Sequence, residues 1–170
     1  MWWWTLAALA DPSAVPAIRA RWSAVQEARE ALVPLVIDGN PTNREWAAVG
    51  EFQPSVTCYR ELPPDEPYPA NVVALVEVSL HVSTQLYRRT YLYSAAGELL
   101  FAHSADVEQP EWRVYWTGEA VARVQKDAEV LSAEAAGKVP AILSKRGRAL
   151  QELCVAAIQG GERVPELRER

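Results

Sequence analysis

Between Val72 and Val82 the chain alternates. Even positions carry Val72, Ala74, Val76, Val78, Leu80 and Val82, while the odd positions turn polar through Glu77, Ser79 and His81. A period of two predicts a strand with one dry face and one increasingly wet one. A similar alternation runs from Gly50 to Arg60, with Phe52, Val56 and Cys58 opposed to Gln53, Ser55 and Thr57. Pro54 withholds a backbone donor there, which predicts an edge strand or a bulged one. Downstream, Tyr87 to Tyr93 and Glu98 to His103 flank Ser94-Ala95-Ala96-Gly97, a hairpin in which Gly97 supplies a positive φ. A second hairpin joins Trp112–Trp116 to Ala120–Gln125 through Thr117-Gly118. Short connections make antiparallel neighbours, so the strand order is expected to be sequential.

Elsewhere the period changes. Val15, Ile18, Trp22, Val25 and Leu32 recur at helical spacing, so a one-sided helix is expected from Asp11, capped by Asp11 or Ser13 and ended by Pro34. After the hairpins, Lys126 to Ala136 predicts a short helix stopped by Gly137 and Pro140. Ala141 to Ile158 predicts a longer one that ends at Gly160-Gly161. Gly147 weakens its middle by ~1 kcal/mol relative to Ala. Asp38 to Asn43 and the proline-rich Leu62 to Ala70 are loops. The expected fold is therefore α+β: an N-terminal helix, an antiparallel meander of about five strands, and C-terminal helices covering one face. By position, 1–10 is a leader-like apolar segment, 11–161 a single domain and 162–170 a charged tail.

Composition narrows the classes. A chain of 170 residues with 49% hydrophobic content can bury a core without staples. Seventeen Lys and Arg stand against 22 Asp and Glu, a net charge of -5, which excludes a phosphate-backbone reader and so nucleic acid as a partner. The stretch Met1 to Ala10 holds three tryptophans and an Ala-Leu-Ala end without a basic start. It reads as a shortened secretory leader, or else as a mature tail whose indoles pack on the body, and it is too short to form a transmembrane span. Cys58 and Cys154 are the two cysteines. They are either one disulfide, closing a loop of about 100 residues and contributing ~4–5 kcal/mol, or two buried thiols.

Candidate chemistry is sparse. His81 and His103 both lie on the polar alternation, with Glu77, Glu98 or Asp106 as a third group, but the spacing matches no metal signature. Glu108 and Glu111 flank Pro110 beside Trp112, a pairing that suits a glycan-acting acid and base. His103-Ser104-Ala105-Asp106 holds the residue types of a hydrolytic relay, yet strand neighbours point to opposite faces. No glycine-rich phosphate loop and no cofactor signature is present. The aromatics stand out, with seven tryptophans in the chain. Tyr87, Tyr91 and Tyr93 share one face of their strand, as Trp112 and Trp116 do of theirs. With helices on one side only, such a set would form a binding face; the alternative use is cross-strand packing.

Tyr91-Leu92-Tyr93-Ser94-Ala95-Ala96-Gly97-Glu98-Leu99-Leu100-Phe101 and Glu111-Trp112-Arg113-Val114-Tyr115-Trp116 resemble a hairpin pair of uncharacterised bacterial extracytoplasmic α+β proteins, over about residues 87–124. The resemblance implies export, to the periplasm or the extracellular space. It implies no activity and no site residues.

Three functions follow. The first is an exported, non-catalytic binding or interaction protein of the cell envelope, recognising a protein or a small ligand. The second is a small glycan-acting hydrolase using Glu108 and Glu111. The third is a cytoplasmic acidic inhibitor or immunity-type protein, attracting a basic target by charge.

Overall fold

The computed structural model describes residues 13–42, 44–45, 50–61, 72–106 and 109–162. Helix α1 (Ala14–Glu27) leads through a tight turn at Arg29–Ala31 into strand β1 (Val33–Asp38). Then come β2 (Phe52–Arg60), β3 (Val73–Val82), β4 (Gln85–Tyr93) and β5 (Leu99–Asp106). Strands β6 (Trp112–Thr117), β7 (Ala120–Lys126) and β8 (Glu129–Leu131) complete the sheet, and α2 (Val139–Glu162) is the last described element. The order in space is the order in sequence, an antiparallel meander from β1 to β8.

The α+β class and the sequential sheet are as expected, but three features correct the sequence reading. The sheet has eight strands, not about five. The extra ones lie at its two edges. β1 contains Pro34, expected as a helix stop; on an outer strand its fixed φ is compatible with extended backbone and its missing donor costs no interior ladder bond. β8 occupies part of the expected helix over 126–136. Asp127 takes a left-handed backbone, φ 51°, and reverses the chain after β7. Among the described residues one C-terminal helix is left, not several.

Cover is the third correction, because helices lie on both faces. The inner halves of the strands are apolar on consecutive residues, Val73 to Val76 on β3 and Tyr91 to Tyr93 on β4, all buried. Strands greasy on both sides need two layers of cover. One face packs Cys58, Val76, Tyr91, Ala102 and Val114 beneath Leu143, Cys154 and Ile158 of α2. The alternate residues Leu75, Leu92, Phe101 and Tyr115 pack beneath Val15, Ile18 and Val25 of α1. Cys58 and Cys154 are joined in a disulfide that ties β2 to α2, and both are fully buried.

Pro54 sits inside the sheet, yet it breaks nothing. Its carbonyl accepts from Gly39 N–H at 2.9 Å, just past the last β1–β2 pair, Asp38 and Ser55. The N and C=O of a strand residue point the same way, so the missing donor faces the end of β1.

The sheet is longer than its cover. On β3 the first four residues are buried and the remaining six are not; on β4 the order is reversed, with burial confined to Tyr91–Tyr93. Half of the sheet therefore projects beyond the helices.

Candidate functional site

The boundary where the sheet emerges from beneath α1 is marked by a row of residues in register. Tyr59, Leu75, Leu92, Phe101 and Tyr115 lie side by side across β2 to β6 under the helix. One step along each strand on the same face, the row becomes Thr57, Glu77, Thr90, His103, Arg113 and, on β7, Gln125. The change from apolar to polar is abrupt, and α1 forms a wall along it. The helix begins over β6 and β7. Beyond its far end Arg29 donates to Tyr59 Oη at 2.8 Å and to Glu77 Oε2 at 2.6 Å. Wall and row enclose a trough.

Beside Ile18, Arg19 and Trp22 of α1 the trough deepens to a cavity of ≈ 450 Å³, within the size range of small-ligand sites. Trp22 meets Phe101 edge-on at 5.4 Å between ring centroids, and Phe101 tilts against Tyr115 at 4.8 Å. His103 stacks beside Phe101 at 6.5 Å. Arg19 reaches over the Tyr115 ring, 5.8 Å from its centroid.

The polar side of this cavity is a fixed network. His103 Nε2 lies 2.7 Å from Glu111 Oε1, and Arg113 pairs with the same oxygen. Glu111 is anchored through its backbone: its N–H donates to Asp127 Oδ1 at 2.9 Å, and Asp127 N–H donates to the Glu111 carbonyl at 2.7 Å. Gln125 Nε2 donates to the Asp127 carbonyl at 2.9 Å. The turn at Asp127 thus aims the Glu111 carboxylate at His103 and Arg113. Each of the three side chains is about a third exposed, so the network faces solvent.

The trough continues past this cavity. Thr90, the register partner of His103, borders a second hollow of ≈ 240 Å³ lined by Ser55, Thr57, Glu77, Ser79 and Arg88.

The residues singled out by sequence are scattered. Tyr91, Tyr93 and Trp116 are buried beneath α2 at 0%, 0% and 3% exposure, and so form packing rather than surface. Tyr87 and Trp112 lie on that same face beyond the helix, half-buried; Tyr87 donates to Gln85 and Trp112 carries Lys126 over its ring. His81 and His103 are separated by β4 and lie in different rows. Among the described residues no three His, Cys, Asp or Glu side chains gather as metal ligands would. Ser104 points to the face opposite His103. Glu108 and the apolar segment 1–10 lie outside the described residues, as does the tail beyond Glu162. Among the described residues no helix is long and apolar enough to cross a membrane.

Trp22, Phe101, Arg113 and Tyr115 were not legible as site residues. Their signal is the same-face change from Phe101 to His103 and from Tyr115 to Arg113, which acquires meaning only when register aligns it across strands. The chain matches no protein-family model, no curated protein and no solved structure.

Proposed function

We propose that the chain is a non-catalytic binding protein of the cell envelope, periplasmic or extracellular, and that the trough beside α1 is its recognition surface. The carrying observation is the pairing of the half-buried Trp22 ring, set against the buried Phe101 and Tyr115, with the tied network of His103, Glu111 and Arg113. A cavity with apolar rings on one side and a few fixed polar groups on the other orients a ligand.

Hydrolysis fits the geometry less well. Glu111 already accepts from two partners, while a general acid has to present a proton to a leaving oxygen. Among the described residues the other carboxylate of the trough, Glu77, is three strands away, about 14 Å at ordinary strand spacing. Paired glycosidase carboxylates stand ~5–9.5 Å apart. Asp127 is engaged with the Glu111 backbone. The buried disulfide favours an oxidising compartment over a cytoplasmic inhibitor.

The test is a thermal-shift and tryptophan-fluorescence screen of sugars, amino acids and aromatic acids against wild type and Arg113→Ala. Saturable binding weakened in the variant, with no turnover of the ligand, supports the reading. Glycan cleavage abolished by Glu111→Gln would replace it with the hydrolase. Fractionation of cells expressing the full chain checks export.

A further inference from the structure

We infer that the trough takes a linear, acidic oligosaccharide laid across the strands, parallel to α1. This rests on the binding reading above and extends it from one cavity to the whole exposed row.

Length is the first argument. The cavity at His103 and the hollow at Thr90 abut, because those two residues are direct register partners on β4 and β5. Together they follow the row from Gln125 on β7 to Thr57 on β2. Five steps of strand spacing make about 24 Å, room for several sugar rings end to end. A 14-residue α1 is about 21 Å long and walls most of it.

Chemistry is the second. The floor beyond the aromatic end is hydroxyl-rich: Ser55, Thr57, Ser79 and Thr90 both donate and accept, as sugar hydroxyls require. An extended peptide gains its main-chain bonds by adding to a sheet edge. Here the ladders of β2 to β7 are occupied on both sides, so the floor offers side chains alone. At the other end Trp22 is half-buried and presents a ring beside the cavity.

Charge is the third. In a protein of net charge -5, the described residues that border the trough on this face include four arginines, Arg19, Arg29, Arg88 and Arg113, and two carboxylates, Glu77 and Glu111. Arg29 and Arg113 are tied to those carboxylates. Arg19 and Arg88 are exposed and pair with no carboxylate among the described residues. They stand two strands apart along the trough, Arg19 over Tyr115 of β6 and Arg88 on β4, one same-face step from Thr90 toward the β3–β4 turn. Two guanidiniums without a carboxylate partner among the described residues, set along a polar floor, suit carboxylates repeated along a chain, to which Arg can bind bidentately.

Calorimetric titration with oligogalacturonates from the monomer upward tests this, with cello-oligosaccharides as the neutral control and poly-glutamate as the acidic peptide. Affinity is expected to rise with oligomer length and fall with added salt. Arg88→Ala is expected to weaken the longer oligomers about tenfold, one charge-assisted hydrogen bond's worth, and the monomer by less. Equal affinity for monomer and oligomer, with Arg88→Ala silent, overturns the extended site but leaves a small-ligand cavity and the binding reading intact. Equal binding of the neutral series overturns the acidic specificity. A preference for poly-glutamate makes the trough a peptide groove, and failure of every uronate oligomer to bind overturns the glycan assignment whatever the ligand screen returns.

Discussion

Glu111 and Asp127 hold each other by the backbone: Glu111 N–H donates to the Asp127 carboxylate, and Asp127 N–H donates to the Glu111 carbonyl. The residues are far apart in sequence, but the β6–β7 hairpin brings them together where the chain enters one strand and leaves the other. Asp127 does this from a left-handed backbone, which Asp and Asn tolerate better than other side chains. Asp127→Ala is expected to lose both the acceptor and the conformational fit, costing about 1–3 kcal/mol by urea denaturation. Asp127→Asn, which retains an acceptor, is expected to recover most of the loss.

The disulfide spans 96 residues of sequence and is sealed from solvent. Thiol counting with a reductant is expected to find no free thiols in the native protein and two once denaturant is added. Replacing both cysteines by alanine removes a loop constraint of about 4–5 kcal/mol, seen as a large drop in urea midpoint. A native protein that reacts readily with thiol reagents would contradict the buried bridge.

Gly147 lies in the middle of α2 where ordinary propensity favours alanine. A Cβ there would stand 2.9 Å from Leu99 Cδ2 and 3.0 Å from Tyr91 Cδ1, both on buried residues, and Tyr93 Oη donates to the Gly147 carbonyl at 2.7 Å. Overpacking costs about 1–3 kcal/mol against a propensity gain of about 1 kcal/mol. Gly147→Ala is therefore expected to destabilise the fold, measured by Tm, despite improving the isolated helix.

Burial pushes the hydroxyls of both Tyr91 and Tyr93 upward, with Arg89 and Arg146 partly opposing the rise at Tyr91. The folded protein keeps these protons while the unfolded chain releases them near pH 10. Stability is thus complete below that value and declines as pH climbs from there toward the raised folded values. Tyrosine absorbance followed against pH should show two of the six tyrosines ionising only with unfolding. Tyr93→Phe should soften the alkaline decline while losing about 1 kcal/mol at neutral pH with its hydrogen bond.

The sequence made the strands legible where alternation is clean. β3 and the hairpins at Gly97 and Gly118 follow directly from period and turn residues, with φ of 82° and 60° at those glycines. The edges were hidden because β1 carries a proline and β8 is only three residues long, too short for any period to show. The second layer of cover was foreshadowed by Leu75, which sits on the side of β3 that turns polar only from Glu77, but so short an apolar start does not reveal a helix above it. The trough was unreadable for a related reason. Its members contribute one side chain per strand, so the row exists only after register has lined them up.

A meander has one more consequence. Every strand here finds its partner among its immediate sequence neighbours, so ribbon can zip onto ribbon with short loop closures and a light entropic burden. The demanding step is left to the two helices, which come from the two ends of the described chain and must settle on opposite sides of a sheet already laid down. Assembly of the ribbons should consequently outpace capture of α2, and oxidation of Cys58 with Cys154 would act as the latch that records its arrival.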